Sequence, residues 1–422
     1  MLSKGPATTL QHPEETELMV RAFMQTLPTA LLAAFVLSSP AIALPHSSTA
    51  TAGPALLRTA LQRDLDAYLK DRCPKEHCSA LSLSVSLGRG TPDINLARGT
   101  TQYGSGPRVT PASLYQIGSN TKSFTAVAVL QLEAQGRLSI DAPIGNYLPQ
   151  YPAFRNLTLR RLLSMTGGLE SYDNTQAWLR SYANDPMADV PSDTLIRMVY
   201  PKIKFTPGTR YYYSNTGYLL AQEVVAARSL SKSYDAEIAR IISSVGLKNT
   251  FYASHLYPAP IARRVVSGYY ENNDPGFGKF IGKDMTPYSL SWAQGAGAIV
   301  STPEDLVAWA RAMYQGTALL PAKQKRELMS LVSVKTARRI NVPTPADPAG
   351  FGLGVAQRND PGFGPYWFYQ GETLGFRAAH LYFPDSDLVV TLFANSRPIE
   401  SNSDLHKLFL KIYATIKARP KS

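Results

Sequence analysis

Ser119 and Lys122 stand three positions apart in Ile117-Gly118-Ser119-Asn120-Thr121-Lys122, at the head of a stretch that reads as a helix running to Gln135. Residues at that spacing share a helical face, so the amine comes beside the hydroxyl. The pair can serve as nucleophile and base if desolvation or nearby positive charge leaves the lysine neutral when the serine proton moves. A serine at a helix start also has a backbone N–H free to face a developing oxyanion. Taken alone, S-x-x-K is a weak signal that recurs by chance and reads first as a serine cap followed by a solvent-facing lysine.

Two other stretches carry matching chemistry. In Tyr213-Ser214-Asn215, the phenol can relay a proton to a leaving group, and the amide can hold a substrate carbonyl or orient the lysine. The neighbouring Tyr211 and Tyr212 read as packing residues. In Tyr369-Gln370-Gly371-Glu372, a glycine on an edge strand lets a substrate backbone come close, and the Glu372 N–H can complete an oxyanion hole with that of Ser119. Each stretch also has a plain structural reading, as an aromatic cluster with a turn asparagine and as a glycine-rich hairpin.

The elements that must position these groups come from both ends of the chain. Leu57, Leu61, Leu65 and Leu69 repeat at helical spacing within Pro54 to Lys70. Leu81, Leu83, Val85 and Leu87 alternate with serines, which predicts a strand with one face buried, turning at Gly88 to Pro92 into a second around Ile94 to Arg98. Three more strands are expected over Phe351 to Gln357, Phe376 to Pro384 and Leu388 to Ala394, followed by a helix from Ser403 to Lys417. Thr302 before Pro303 marks the N-cap of a helix to Tyr314. Helices are expected over Tyr218 to Arg228 and Asp235 to Val245. An α/β fold follows: one antiparallel sheet closed by terminal helices, formed by 54–150 and 293–422, with a mainly helical insertion over 151–292.

These motifs, in this order, resemble the penicillin-recognising serine hydrolases of the beta-lactamase and D-Ala-D-Ala carboxypeptidase group, on its class C-like branch. Ser119 to Lys122 matches the family's S-x-x-K, and Tyr213 to Asn215 its Y-x-N. Leu162 to Leu169 and Ala296 to Thr302 resemble further landmarks. The resemblance implies the family's fold, with the site between sheet and helical domain, and acyl-enzyme chemistry. Its roles would be Ser119, Lys122 and Tyr213 in catalysis, the N–H groups of Ser119 and Glu372 as oxyanion hole, and Asn215, Tyr369, Gln370 and Gly371 toward substrate.

One departure stands out: Tyr369-Gln370-Gly371 occupies the place of the usual K-T-G or H-x-G. A phenol offers a hydrogen bond but no charge to a substrate carboxylate. Arg377 is the candidate to replace the missing cation. The expected function is a serine hydrolase of amide bonds, of D-alanyl-D-alanine carboxypeptidase or D-amino-acid peptidase type, with peptidoglycan stem peptide among its expected substrates. The alternatives are a promiscuous carboxylic-ester hydrolase and a catalytically degraded peptide-binding protein; a true beta-lactamase is disfavoured without K-T-G.

Composition sets the compartment and excludes other classes. With 422 residues, 44% hydrophobic and 18% charged, the chain is neither disordered nor a small disulfide scaffold. Its formal charge of +12 is spread out, without the motifs of nucleic-acid readers, so no nucleic-acid partner is expected. Arg21, an apolar run from Thr29 to Val36 and Ala41-Ile42-Ala43 read as a secretory signal peptide over 1–43, with a linker over 44–53 and Met19 or Met24 as alternative starts. A periplasmic or secreted location follows, with no transmembrane anchor expected. There Cys73 and Cys78 can form a local disulfide, two buried thiols being the alternative. The six histidines are scattered, so no metal site is expected, and the acyl transfer that the resemblance implies needs no cofactor.

Overall fold

The computed structural model describes residues 52–399 and 405–418. The expected signal peptide over 1–43, and the linker up to residue 51, lie outside the described residues. Ten strands form one sheet: β1 Ala80–Ser86, β2 Ile94–Gln102, β3 Ser105–Arg108, β4 Leu331–Ser333, β5 Arg339–Ile340, β6 Ala349–Phe351, β7 Ala356–Asp360, β8 Gly364–Glu372, β9 Arg377–Phe383 and β10 Leu388–Ala394. Their spatial order is β3-β2-β1-β10-β9-β8-β7-β6-β4-β5, antiparallel at each pairing. The N-terminal strands therefore join the C-terminal ones through β1 and β10, with Leu83 opposite Leu392.

Seven helices matter for the site: α1 Ala52–Asp71, α2 Thr121–Ala134, α3 Asn215–Arg228, α4 Tyr234–Val245, α5 Pro303–Tyr314, α6 Ala322–Leu328 and α7 Leu405–Lys417. The apolar stripes of α1 (Leu57, Leu61, Leu65) and α7 (Leu405, Leu408, Ile412) meet Leu81, Leu83, Val390 and Leu392 on one face of the sheet. α5 covers the other face, opened by the Thr302 hydroxyl accepting from Asp305 N. β1 was expected to bury only its leucine face, yet every residue in it is buried. The serines lie beneath α5 and its surroundings, where Ser86 Oγ accepts from Arg311 Nε at 3.0 Å and Ser82 Oγ donates to Tyr115 at 2.9 Å. Small hydroxyls fit under a closely packed helix and find partners there.

A second, mainly helical region packs around α2. Phe124, Val127, Ala128, Val129 and Leu130 make this helix apolar all round, and such a helix is buried on all sides. Phe124 stacks on Trp309 of α5 at a ring distance of 3.7 Å, while α3 and α4 lie against other faces of α2. Lys122 is thereby carried into the interior by its own helix. The Cys73–Cys78 disulfide closes the turn between α1 and β1. No helix among the described residues is long and apolar enough to cross a membrane.

Candidate active site

Ser119 sits in a 3-10 turn, Gly118–Asn120, that leads into α2, one step earlier than the expected α-helix. The three-residue offset still brings Lys122 Nζ to 2.9 Å from Ser119 Oγ. Nζ also donates to the Ala296 carbonyl at 2.7 Å, which fixes the amine from the far side. Tyr213 donates its O–H to the same Ser119 Oγ at 2.7 Å. Tyr213 is held by the loop over residues 165–171: Tyr212 N donates to Met165 O at 2.8 Å, and Asn215 N to Ser171 Oγ at 2.8 Å.

The third motif closes against this turn. β8 pairs with β7 only through Phe368, and from Tyr369 to Glu372 only β9 lies alongside. Within an interior strand, the motif is therefore a local edge, and that edge faces the nucleophile turn. A Cβ on Gly371 would stand 1.9 Å from Ile117 O and 2.6 Å from Ser119 N; one on Gly118, at φ +49°, would stand 2.6 Å from Glu372 N. Glycine at both positions is what lets the two backbones touch. The amides of Ser119 and Glu372 consequently border the same small space.

Tyr369 is buried, its hydroxyl 3.5 Å from that of Tyr213. Gln370 and Glu372 share the other face of the strand, where Gln370 Nε2 donates to Glu372 Oε1 at 2.9 Å. Arg377 does not reach the cleft. Its buried guanidinium pairs with Glu76 at 2.6 Å and donates to Ser396 O, so it holds the disulfide turn to the sheet instead of supplying a cation to the site. Adjacent strand positions alternate between faces, and Arg377 falls on the wrong one. The cation beside the motif is Arg397, whose Nε lies 3.8 Å from Glu372 Oε2 while its Nη1 pairs with Asp274.

Burial sets the electrostatics. It pushes the Lys122 amine down to about 7, against the pull of the Asp173 carboxylate, which favours the ammonium. Burial also pushes the Tyr213 phenol well above its usual range, opposed by its hydrogen bonds with Ser119 and Tyr369. At neutral pH, lysine is the group nearer to a free lone pair.

Three residues had no role in the sequence reading. Asp173 accepts from Asn215 Nδ2 at 2.7 Å and from Ser171 Oγ, and leaves Asn215 Oδ1 buried without a partner. It lies four residues past Leu169 with no spacing relation to Ser119, so only the fold associates them. Asn120 donates through Nδ2 to Ile117 O at 2.9 Å and to Ala378 O at 3.0 Å, bracing the nucleophile turn against β9. Its Oδ1 therefore faces His380 Nδ1 at 3.0 Å, so Nδ1 carries the proton and Nε2 accepts from Tyr314 O–H at 3.0 Å. His380 is fully buried, and burial lowers its pKa to about 3.

A family model described as Beta-lactamase matches residues 80–412. The putative penicillin-binding protein PbpX of Bacillus subtilis is 26% identical over 308 residues, covering 72% of this chain and 66% of that protein. Penicillin-binding protein 4* of the same organism is 24% identical over 304 residues, covering 71% and 64%. The chain thus spans just under two thirds of the length of these relatives. The D-amino acid amidase of Ochrobactrum anthropi SV3, solved with D-phenylalanine, superposes with a TM-score of 0.70 at 22% identity, over 86% of this chain and 99% of the amidase.

Proposed function

The chain belongs to the beta-lactamase family of serine hydrolases, and from that premise we propose that it is a D-amino-acid peptidase or amidase that works through an acyl-enzyme on Ser119. The observation that carries this reading is the convergence of Lys122 Nζ and Tyr213 Oη on Ser119 Oγ, at 2.9 and 2.7 Å. Neutral Lys122 takes the serine proton while Nζ–H stays on Ala296 O, and Oγ attacks the substrate carbonyl carbon. The Ser119 and Glu372 amides receive the negative oxygen. The C–N bond breaks as Tyr213 passes a proton to the departing amine and is reprotonated from Lys122. Water then adds to the acyl ester and returns the proton to Ser119 Oγ. The high pKa of Tyr213 favours a relay over a standing tyrosinate base.

Charge near the nucleophile favours a free amino group on the substrate over a terminal carboxylate. Tyr369 is neutral, Arg377 faces away, Arg397 is paired with Asp274, and Asp173 and Glu372 are acidic. A second reading, a carboxylic-ester hydrolase, draws on the same lack of a cation at position 369. The disulfide supports a periplasmic or secreted site of action, and peptidoglycan-derived peptides are candidate substrates there.

The test is intact-protein mass spectrometry with product release, on the wild type and Ser119→Ala. The panel is a D-amino-acid amide, its N-acetyl form, a D-Ala-D-Ala-terminated peptide and an activated ester. Ser119-dependent turnover of the free-amine amide above its N-acetyl form is expected. Turnover unchanged in Ser119→Ala would remove the nucleophile, and preference for the D-Ala-D-Ala terminus would reverse the charge argument.

A further inference from the structure

At the far edge of the sheet from β3, the segment from α6 through β5 carries Lys323, Lys325, Arg326, Lys335, Arg338 and Arg339 against one carboxylate, Glu327. Glu327 is engaged elsewhere, at 2.6 Å from Arg160, itself paired with Asp141. A cleft of about 770 Å³ opens here, and no acidic residue lines it. Its cationic wall is Lys325, Arg326 and Arg339, and its apolar part is Met329, Leu331 and Ile340. None of the three cations pairs with a carboxylate among the described residues; Lys325 Nζ donates only to the Gly316 carbonyl, at 2.9 Å.

We propose that this cleft is a binding site for a small anionic amphiphile, a carboxylate or phosphate monoester on an apolar chain. Three unpaired cations converging on one space repel each other unless an anion joins them, and a chain of matching polarity can lie along the methionine, leucine and isoleucine. The volume falls in the range of small-ligand pockets. Burial lowers the pKa of Lys325, the sign of a cation partly withdrawn from water without a counter-charge. The inference is independent of the catalytic reading, since none of Ser119, Lys122 and Tyr213 lines the cleft.

Calorimetric or NMR titration of the whole protein with decanoate, decyl phosphate, decanol and inorganic phosphate tests the assignment, repeated on Lys325→Gln/Arg339→Gln and on Ile340→Asn. The two amphiphilic anions should each bind at least ~10-fold more tightly than decanol or phosphate, a difference of about 1.4 kcal/mol. The double variant should lose about tenfold in affinity for both, Ile340→Asn should weaken them as well, and ester turnover should stay at the wild-type rate. Tighter binding of decanoate than decyl phosphate, or the reverse, identifies the headgroup. Decanol binding as well as decanoate, phosphate alone binding as well as decyl phosphate, affinities unchanged in the variants, or no binding by either amphiphile overturns the proposal.

Discussion

Asp173→Asn isolates what sets the base. With the Lys122 amine near 7, about half of it is neutral at pH 7, whereas a lysine at its ordinary value of about 10.4 would be neutral in roughly one molecule in 2,500. That difference is about 5 kcal/mol net, burial acting against the ammonium less the opposing pull of Asp173. Asp173 acts the other way, its negative charge favouring the ammonium. Asparagine keeps the shape and an oxygen to accept from Asn215 Nδ2, but removes the charge. Lys122 should therefore become a weaker base, with its pKa falling by about one unit. Acylation of Ser119 by an activated, uncharged ester, followed by stopped flow from roughly pH 5 to pH 9, reads this directly. In the wild type the rate should fall about tenfold per pH unit below ~7. In Asp173→Asn the acid limb should move down by about one unit, so that at pH 6 the variant keeps about half of its plateau rate and the wild type about a tenth. An uncharged ester makes the limb insensitive to any contact of Asp173 with a substrate amine. A limb that stays in place, or moves upward, refutes the account of Lys122 as a base tuned by burial against Asp173.

Two further outcomes follow from buried titrating groups. Lys122 has a folded-state pKa below its unfolded value, so the unfolded chain binds more protons between about pH 7 and pH 10 and wild-type stability rises with pH there. Lys122→Met removes that slope; its advantage over the wild type in urea unfolding should shrink by about 4 kcal/mol between pH 7 and pH 10, and a constant difference would contradict the lowered pKa. His380 is likewise depressed, to about 3, so its contribution is complete above ~6.5 and lost as pH falls toward 3. From pH 6.5 to pH 5 the wild type should lose about 2 kcal/mol that His380→Gln does not lose; equal losses would mean that the imidazole is not held neutral between Asn120 and Tyr314.

The parts of this molecule legible in the sequence are those with local spacing. Thr302 and Pro303 give the start of α5 to the residue, because a cap and a proline act within one turn. Ser119 and Lys122 are legible for the same reason, and Cys73 and Cys78 pair across a short turn as expected. The serine face of β1 was misjudged because alternation reports polarity, and burial of small hydroxyls depends on α5, over 200 residues away. Arg377 was misassigned because its distance from Gly371 in sequence says nothing of which sheet face it takes, and its partner Glu76 comes from the turn before β1, about 300 residues earlier. Asp173 and His380 meet the site only through the fold, at separations that no periodicity links.

The neutral residue at position 369 bears on more than substrate charge. A cation there, as in the K-T-G that the motif resembles, would help depress the lysine pKa by repulsion and would greet a substrate carboxylate at the same time. Here the first task falls to desolvation alone: residues 121–130 of α2 are all buried, and Lys122 has the Ala296 carbonyl and Ser119 Oγ as its partners in the interior. For the second task, neither arginine considered is free: Arg377 is committed to Glu76 and Arg397 to Asp274. On the proposed reading, the site keeps its base while these side chains offer no cation to an anionic terminus. An acyl-transfer machine on a changed substrate, with its nucleophile geometry intact, is the coherent outcome of that separation, and a decayed binding protein would have no reason to keep a lysine buried at such cost.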